Sequence, residues 1–249
     1  MRSLDKEVFI CLDCETTGLD TIADRIIEVA VVKFDFSTFL EQYETLIDPE
    51  YPISETSIAI HHITPEMVVG QPHIQAVLPS LLEIIGNHII VGHGIQFDID
   101  LLANAADRAG IPHTLKRNRT LDTLRLARLY GESPTNSLEQ LRQHFNIPHE
   151  GAHRAMNDVI VNIEVFKYLA RRYKSTDQLF DVLSKPIQMK TMPLGPHKGR
   201  LMKEIPIEYL RWAVHKNFDQ DLIHSIRLEL KRRKSGNQFS QSANPFANL

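Results

Sequence analysis

The run from Glu7 to Cys14 is apolar on both alternating faces, the pattern of a strand covered on two sides. Arg25 to Asp35 and Gln42 to Ile47 read as two further strands joined by short turns, an antiparallel meander. Helical periodicity follows over Pro72–Gly86, with Pro near its start. His88–Val91 is a short buried strand, and Phe97–Gly110 a helix stopped by Gly110-Ile111-Pro112. Three further helices are predicted over Leu121–Tyr130, Ser137–Phe145 and His153–Tyr173. Strands first, then alternating helices and strands, predict an α/β domain with a mixed sheet over residues 1–175. Periodicity fades across 176–191, read as a linker. A compact pattern returns over 192–234, and the uncharged Ser/Asn/Gln-rich tail 235–249 is expected to be disordered.

Composition bounds the picture without deciding it. The chain has 249 residues, 43% hydrophobic and 24% charged, ordinary for a soluble globular protein. No apolar run is long enough to span a bilayer, and the N-terminus shows no signal-peptide pattern. With only two cysteines, a reducing cytoplasm is the expected location. Cys11 and Cys14 lie in a strand where alternation points them to opposite faces, which argues against a zinc site. The net charge of −3 conceals an asymmetry: Lys190 to Lys234 holds 11 Lys+Arg against 5 Asp+Glu, so this segment is +6 and the rest of the chain −9. An acidic domain that needs cations is joined to a basic piece suited to a polyanion, or to a solvated helix face.

The chemistry sits at three places. Asp13 and Glu15 are two apart on the first strand and project from one face, roughly 7 Å apart along the backbone. Asp98 follows the buried strand at 88–91, where a helix begins; it is either a helix cap or a ligand, and His93 at the same strand exit favours a ligand. His153 and Asp158 are five residues apart, roughly 140° around a helix, so both cannot reach one point from regular helical positions. Gly151 places His153 on a loop, where it can act as a general base, and Asp158 in the helix. Each carboxylate abuts an apolar stretch, where a bare charge is costly unless paired or metal-bound. Together they suggest a two-cation site for phosphodiester hydrolysis.

These ordered segments, Asp13-Cys14-Glu15-Thr16-Thr17-Gly18, then His93 through Phe97-Asp98, then His153 to Asp158, resemble the DEDD 3′-5′ exonucleases with a ribonuclease H-like fold. The resemblance runs from about Val8 to Tyr173. A histidine five before the last aspartate is similar to the histidine, DnaQ-like branch, and Ile60-His61-His62-Ile63-Thr64 and Leu121-Asp122-Thr123 also resemble family patterns. It implies Asp13, Glu15, Asp98 and Asp158 as ligands of two divalent cations, Mg2+ or Mn2+. It further implies His153 as the base that deprotonates the attacking water, backbone around Thr16 and Thr17 on the 3′-hydroxyl, and Leu19 and Phe97 beside the terminal base, with His93 at the substrate. Gly94 departs from the asparagine often found there.

The module at 192–234, through Leu194-Gly195-Pro196-His197-Lys198-Gly199 and Tyr209-Leu210-Arg211-Trp212, resembles the small C-terminal domain of exonuclease X-like proteins. Lys198, Arg200 and the Lys231–Lys234 cluster are expected on phosphates; Trp212 is expected in the core, with stacking on a base as the alternative. The expected activity is hydrolysis of DNA from single-stranded or frayed 3′ ends to nucleoside 5′-monophosphates. RNA hydrolysis, or a non-catalytic scaffold for nucleic acid or a polymerase, are the rivals. A polymerase or a second copy of the chain stays open as partner, and no membrane is expected.

Overall fold

The computed structural model describes residues 3–130, 135–148 and 154–242. The chain divides into two compact units, Met1–Val182 and Leu183–Leu249.

In the first unit, β1 (Phe9–Thr16), β2 (Ile26–Phe34) and β3 (Phe39–Leu46) form the antiparallel meander, while β4 (Ile89–Gly92) and β5 (Thr120–Asp122) add on parallel to β1. The sheet order is β3-β2-β1-β4-β5, a mixed sheet as expected. Helices α1 (Glu55–His61), α2 (Pro65–Val68), α3 (Ile74–Ile85) and α4 (Gln96–Ala109) precede β5. After it come α5 (Thr123–Tyr130), α6 (Leu138–His144), α7 (Ala155–Ala170) and α8 (Thr176–Leu183).

Alternation along β1 assigns its two faces. Ile10, Leu12 and Cys14 join the buried cluster built with α3 and α4. Phe9 and Cys11 face α7: the Phe9 ring lies 5.2 Å from that of Phe166, and Cys11 Sγ lies 3.7 Å from the Val159 carbonyl. Burying both faces removes apolar area worth roughly 25 cal/mol per Å2 from water. It also forces Asp13 and Glu15, which continue the Phe9–Cys11 face, to lie on the α7 side at the strand's C-terminal end.

Three sequence expectations need correction. The helix predicted over Leu121–Tyr130 begins as a strand: Leu121 is fully buried and Thr120–Asp122 pair with Ile90–Gly92, a three-residue element too short to show alternation. The stretch read as a linker opens with α8, where the Ser175 hydroxyl accepts from Gln178 N–H at 3.4 Å and Leu179 is fully buried. The tail read as disordered continues a helix, because α10 (Gln220–Ser242) runs past Lys234; once nucleated, a helix extends at little cost. Before it the second unit has α9 (Ile207–Ala213). Residues 243–249 lie outside the described residues. Among the described residues no helix is long and apolar enough to cross a membrane.

Candidate metal centre

The expected carboxylates converge from three elements. One ligand atom each from Asp13 and Glu15 on β1 and from Asp158 in the first turn of α7 lie within 4.8 Å of one another, all three half-buried. Asp98 is buried in the first turn of α4, and its Oδ1 accepts from Cys14 N–H, between Asp13 and Glu15 on β1, at 3.0 Å; it is the largest neighbouring charge on Asp13. Three of the four thus meet directly, and the fourth is tied to the backbone that carries two of them.

Charge makes the pocket unstable as it stands. Burial, then the neighbouring Asp98, Glu15, Asp158 and Glu28, push the Asp13 carboxyl well above its ordinary range. Burial, then Asp158, Glu28 and Asp98, push Glu15 up to about 8, with Arg154 opposing. Asp98 rises to about 7 through burial, against the Cys14 hydrogen bond. Clustered, desolvated carboxylates of one sign favour protonation or a bound cation.

Sequence reasoning missed the pair that builds this pocket's wall. Glu28 on β2 is directly opposite Glu15 in the sheet and fully buried. Its carboxylate accepts from Arg154 Nε at 2.9 Å and from Ala155 N–H at 3.0 Å. Arg154 is the residue before α7 and offers no capping side chain of its own, so Glu28, from a strand, satisfies the helix start. The Arg154 carbonyl in turn accepts from Asp158 N–H at 3.1 Å. Glu28 therefore sets where α7, and with it Asp158, begins. A glutamate inside an otherwise apolar strand (Ile26-Ile27-Glu28-Val29) was the available signal.

The substrate-side expectations divide. Leu19 is 86% exposed on the loop after β1, and Phe97 is half-buried against the core. Thr16 donates to Gly18 O at 2.6 Å. Thr17 is engaged within the protein: its N–H donates to Arg25 O, its hydroxyl to Asp24 Oδ1 at 2.8 Å, and its carbonyl accepts from Ser54 N–H and the Ser57 hydroxyl. These bonds fix the shape of the loop after β1. A side chain at Gly18 would meet the Asp24 carboxylate at 2.5 Å, so this closure requires glycine.

His93 also faces inward. Its Nδ1 lies 3.0 Å from the Thr123 hydroxyl, which donates to Asn162 Oδ1, and burial lowers its pKa to about 4. Gly94, at φ +74°, adopts the left-handed conformation, and its N–H donates to Asp122 Oδ1 at 3.0 Å. The backbone turn, not a side chain, is what this position supplies. His153 lies outside the described residues.

In the second unit Lys198 and Arg200 are exposed. Arg232 and Arg233 of the expected phosphate cluster both bind Glu229, at 2.8 and 2.7 Å, and Arg233 also caps the Met202 and Lys203 carbonyls. Trp212 is 51% exposed, contrary to its expected burial.

The mixed sheet with acidic residues at the end of its central strand defines an α/β nuclease fold. The exonuclease family model, RNase_T, matches residues 10–166, and the chain belongs to that family. It is a DEDD-type exonuclease with the ribonuclease H-like fold, and a family whose members use divalent metals suits the acidic cluster. A second model, "Putative quorum-sensing-regulated virulence factor", matches residues 181–228.

Among curated relatives, the epsilon subunit of DNA polymerase III from Aquifex aeolicus is 34% identical over 159 residues, 64% of this chain and 78% of that one. PolC-type DNA polymerase III from Clostridium perfringens is 33% identical over 200 residues, 78% of this chain but 14% of that one, so the chain spans a small part of the PolC-type relatives. Of solved structures, E. coli exonuclease I with a dT13 oligonucleotide superposes at TM-score 0.63 with 23% identity, over 72% of this chain and 44% of that one. That likeness bears on the fold alone. Exonuclease X in complex with 5′ overhanging duplex DNA matches at TM-score 0.55 with 25% identity, over 70% and 98%.

Proposed function

We propose that this chain is a metal-dependent 3′-5′ exonuclease acting on DNA. The observation that carries this reading is the convergence of Asp13, Glu15 and Asp158 within 4.8 Å, with Asp98 bonded to the Cys14 backbone between two of them. Asp13, Glu15 and Asp158 are the residues to hold two Mg2+ or Mn2+ ions, and Asp98 completes the set through its remaining oxygen. Bound there, the ions supply Lewis-acid polarisation of the phosphoryl oxygen and a water of lowered pKa.

The chain's own residues do the rest. His153, one residue before the anchored Arg154, takes the proton from the attacking water. The bond from phosphorus to the O3′ of the penultimate nucleotide breaks, releasing a nucleoside 5′-monophosphate and leaving a shortened strand with a 3′-hydroxyl. Leu19, exposed on the loop after β1, and Phe97 are assigned to flank the terminal base, with the Thr16–Gly18 turn beside it. Neutral His93 positions the strand exit through Thr123 and Asn162. Lys198 and Arg200 of the second unit are assigned to phosphates.

The relatives are a polymerase subunit and polymerases, which favours DNA over RNA, a polymerase as partner, and the cytoplasm as location. The test is a 5′-labelled single strand, a duplex and an RNA, each with Mg2+, Mn2+ or EDTA. The DNA strand should shorten stepwise from its far end, and EDTA should abolish this. Undiminished cleavage in EDTA, or shortening from the labelled end, would overturn the reading.

A further inference from the structure

The second unit has its own core of Met192, Met202, Ile205, Leu210 and Ala213 on one side and Leu222 and Ile226 of α10 on the other. Helix α9 turns Leu210 and Ala213 into that core and leaves Trp212 half in water. Large aromatics left out in this way mark surfaces that await a partner.

Trp212 does not stand alone. The Tyr209 ring lies 5.3 Å from it, and the His197 ring 4.5 Å from Tyr209. Gly195, at φ +72°, lets the chain pass so close that a Cβ there would lie 2.9 Å from the Tyr209 hydroxyl. A cation closes each end of this row: an Arg200 guanidinium nitrogen 3.4 Å from His197 Nδ1, and Lys216 Nζ 4.8 Å from the Trp212 ring centre. Lys198 and Arg211 are exposed beside it. Among the described residues no salt bridge takes up Lys198, Arg211 or Lys216, whereas Arg232 and Arg233 are held by Glu229. Part of the +6 charge of Lys190–Lys234 thus lies around the aromatic row.

We propose that the row Arg200–His197–Tyr209–Trp212–Lys216 is a platform for single-stranded polynucleotide, with a base stacked on the exposed Trp212 ring, which Tyr209 and His197 back, and phosphates on Lys198, Arg200, Arg211 and Lys216. Rings flanked by cations offer a face to a base and charge to the phosphates on either side of it. An acidic peptide would satisfy the cations and leave the rings without a partner. A duplex would offer its phosphates while its bases stay stacked on one another. Every base has a π-face, so the platform tolerates sequence. The proposal rests on the nuclease reading only for the expectation that a polynucleotide is at hand.

Trp212 is the single tryptophan of the chain, which makes its emission a direct reporter. The full chain in EDTA is titrated with an oligothymidylate and with a duplex of equal length. Emission should be quenched on saturation by the single strand and much less by the duplex. With a fluorescein-labelled oligothymidylate read by anisotropy, Trp212→Ala should bind about 5- to 100-fold more weakly, the range of one lost stacked base. Trp212→Phe should recover part of that loss. Lys198→Ala and Lys216→Ala should each lower the slope of log K on log salt by about 0.7. Circular dichroism checks that each variant keeps its fold.

Saturable binding with unchanged Trp212 emission, equal quenching by duplex, or Trp212→Ala binding like wild type would each overturn the platform and leave the face to a protein partner. Quenching by a chain that hydrolyses nothing in Mg2+ would sustain the platform and sink the carboxylate reading; hydrolysis without quenching would do the reverse.

Discussion

Two glutamates, one in each unit, hold opposite electrostatic positions. Glu229 lies between Arg232 and Arg233, which pull its pKa down to about 2. Glu15 lies near Asp158, Glu28 and Asp98, and burial, then those charges, push it up to about 8. The first carboxylate has its cations built in by sequence, three and four residues along one helix. The second has been given neighbours of its own sign. Glu28, opposite Glu15 on the sheet, shows that the fold can neutralise a carboxylate at this spot, since Arg154 reaches it. Among the described residues no salt bridge pairs an arginine with Asp13 or Glu15, and Arg154 only partly offsets the charges on Glu15, which leaves the cluster suited to a cation.

The contrast has a sign in pH. Glu15 and Asp98 have folded pKa values above their unfolded ones, so in EDTA their contribution to stability is complete below about pH 4 and is lost as pH rises through about 7 to 8. Glu229 is depressed, so its contribution is present above about pH 4.5 and is lost as pH falls toward 2.

The comparison breaks most sharply at the cluster itself. Asp158→Asn should lower exonuclease turnover by about three orders of magnitude or more, the several kcal/mol a metal ligand supplies to the transition state. Steady-state rates at saturating Mg2+ measure this, and a variant within tenfold of wild type would remove Asp158 from the site.

Next in size is the neutralised neighbour. Arg154→Ala strands Glu28 in the core and should destabilise the protein by about 3 kcal/mol, the low end for a stranded buried charge because Arg154 is itself 42% exposed. Glu28→Gln leaves Arg154 free to turn to solvent and should cost less. Urea denaturation of both single variants and the double variant tests the asymmetry; equal losses would mean that Glu28 does not depend on Arg154.

The smallest effect sharpens the contrast by removing one like charge. Asp98→Asn keeps an oxygen to accept from Cys14 N–H, yet removes repulsion, so in EDTA at pH 8 it should melt a few degrees above wild type. It should then gain less from added Mn2+ than wild type does. Equal metal-induced shifts would show Asp98 to be a helix cap only.

Much of this was legible in sequence for a physical reason. A covered strand alternates, so Asp13 and Glu15 had to share a face, and an ordered run of acids beside apolar stretches had to be compensated by something. The meander and the helices over 74–85 and 96–109 were visible from periodicity and from Gly110. What escaped needed three dimensions. β5 is three residues long and leaves no period to read. The role of Glu28 depends on Arg154, 126 residues away, and Asp98 reaches Cys14 across 84. The bonds of Thr17 to Asp24, Arg25 and Ser57, which fix the loop, likewise join residues that no local pattern links. Trp212 sits in a helix whose apolar side is satisfied by Leu210 and Ala213, which spacing alone did not separate from burial.

The central claim is that the Asp13–Glu15–Asp158 pocket is a carboxylate cluster completed by cations. Calorimetric titration of the full chain with Mn2+ near pH 7, repeated in buffers of different ionisation enthalpy, addresses it directly. The account predicts saturable binding of two ions per chain with release of protons from the raised carboxyls, both reduced in Asp13→Asn. Binding without proton release, or an Asp13→Asn titration that overlays wild type, would contradict it.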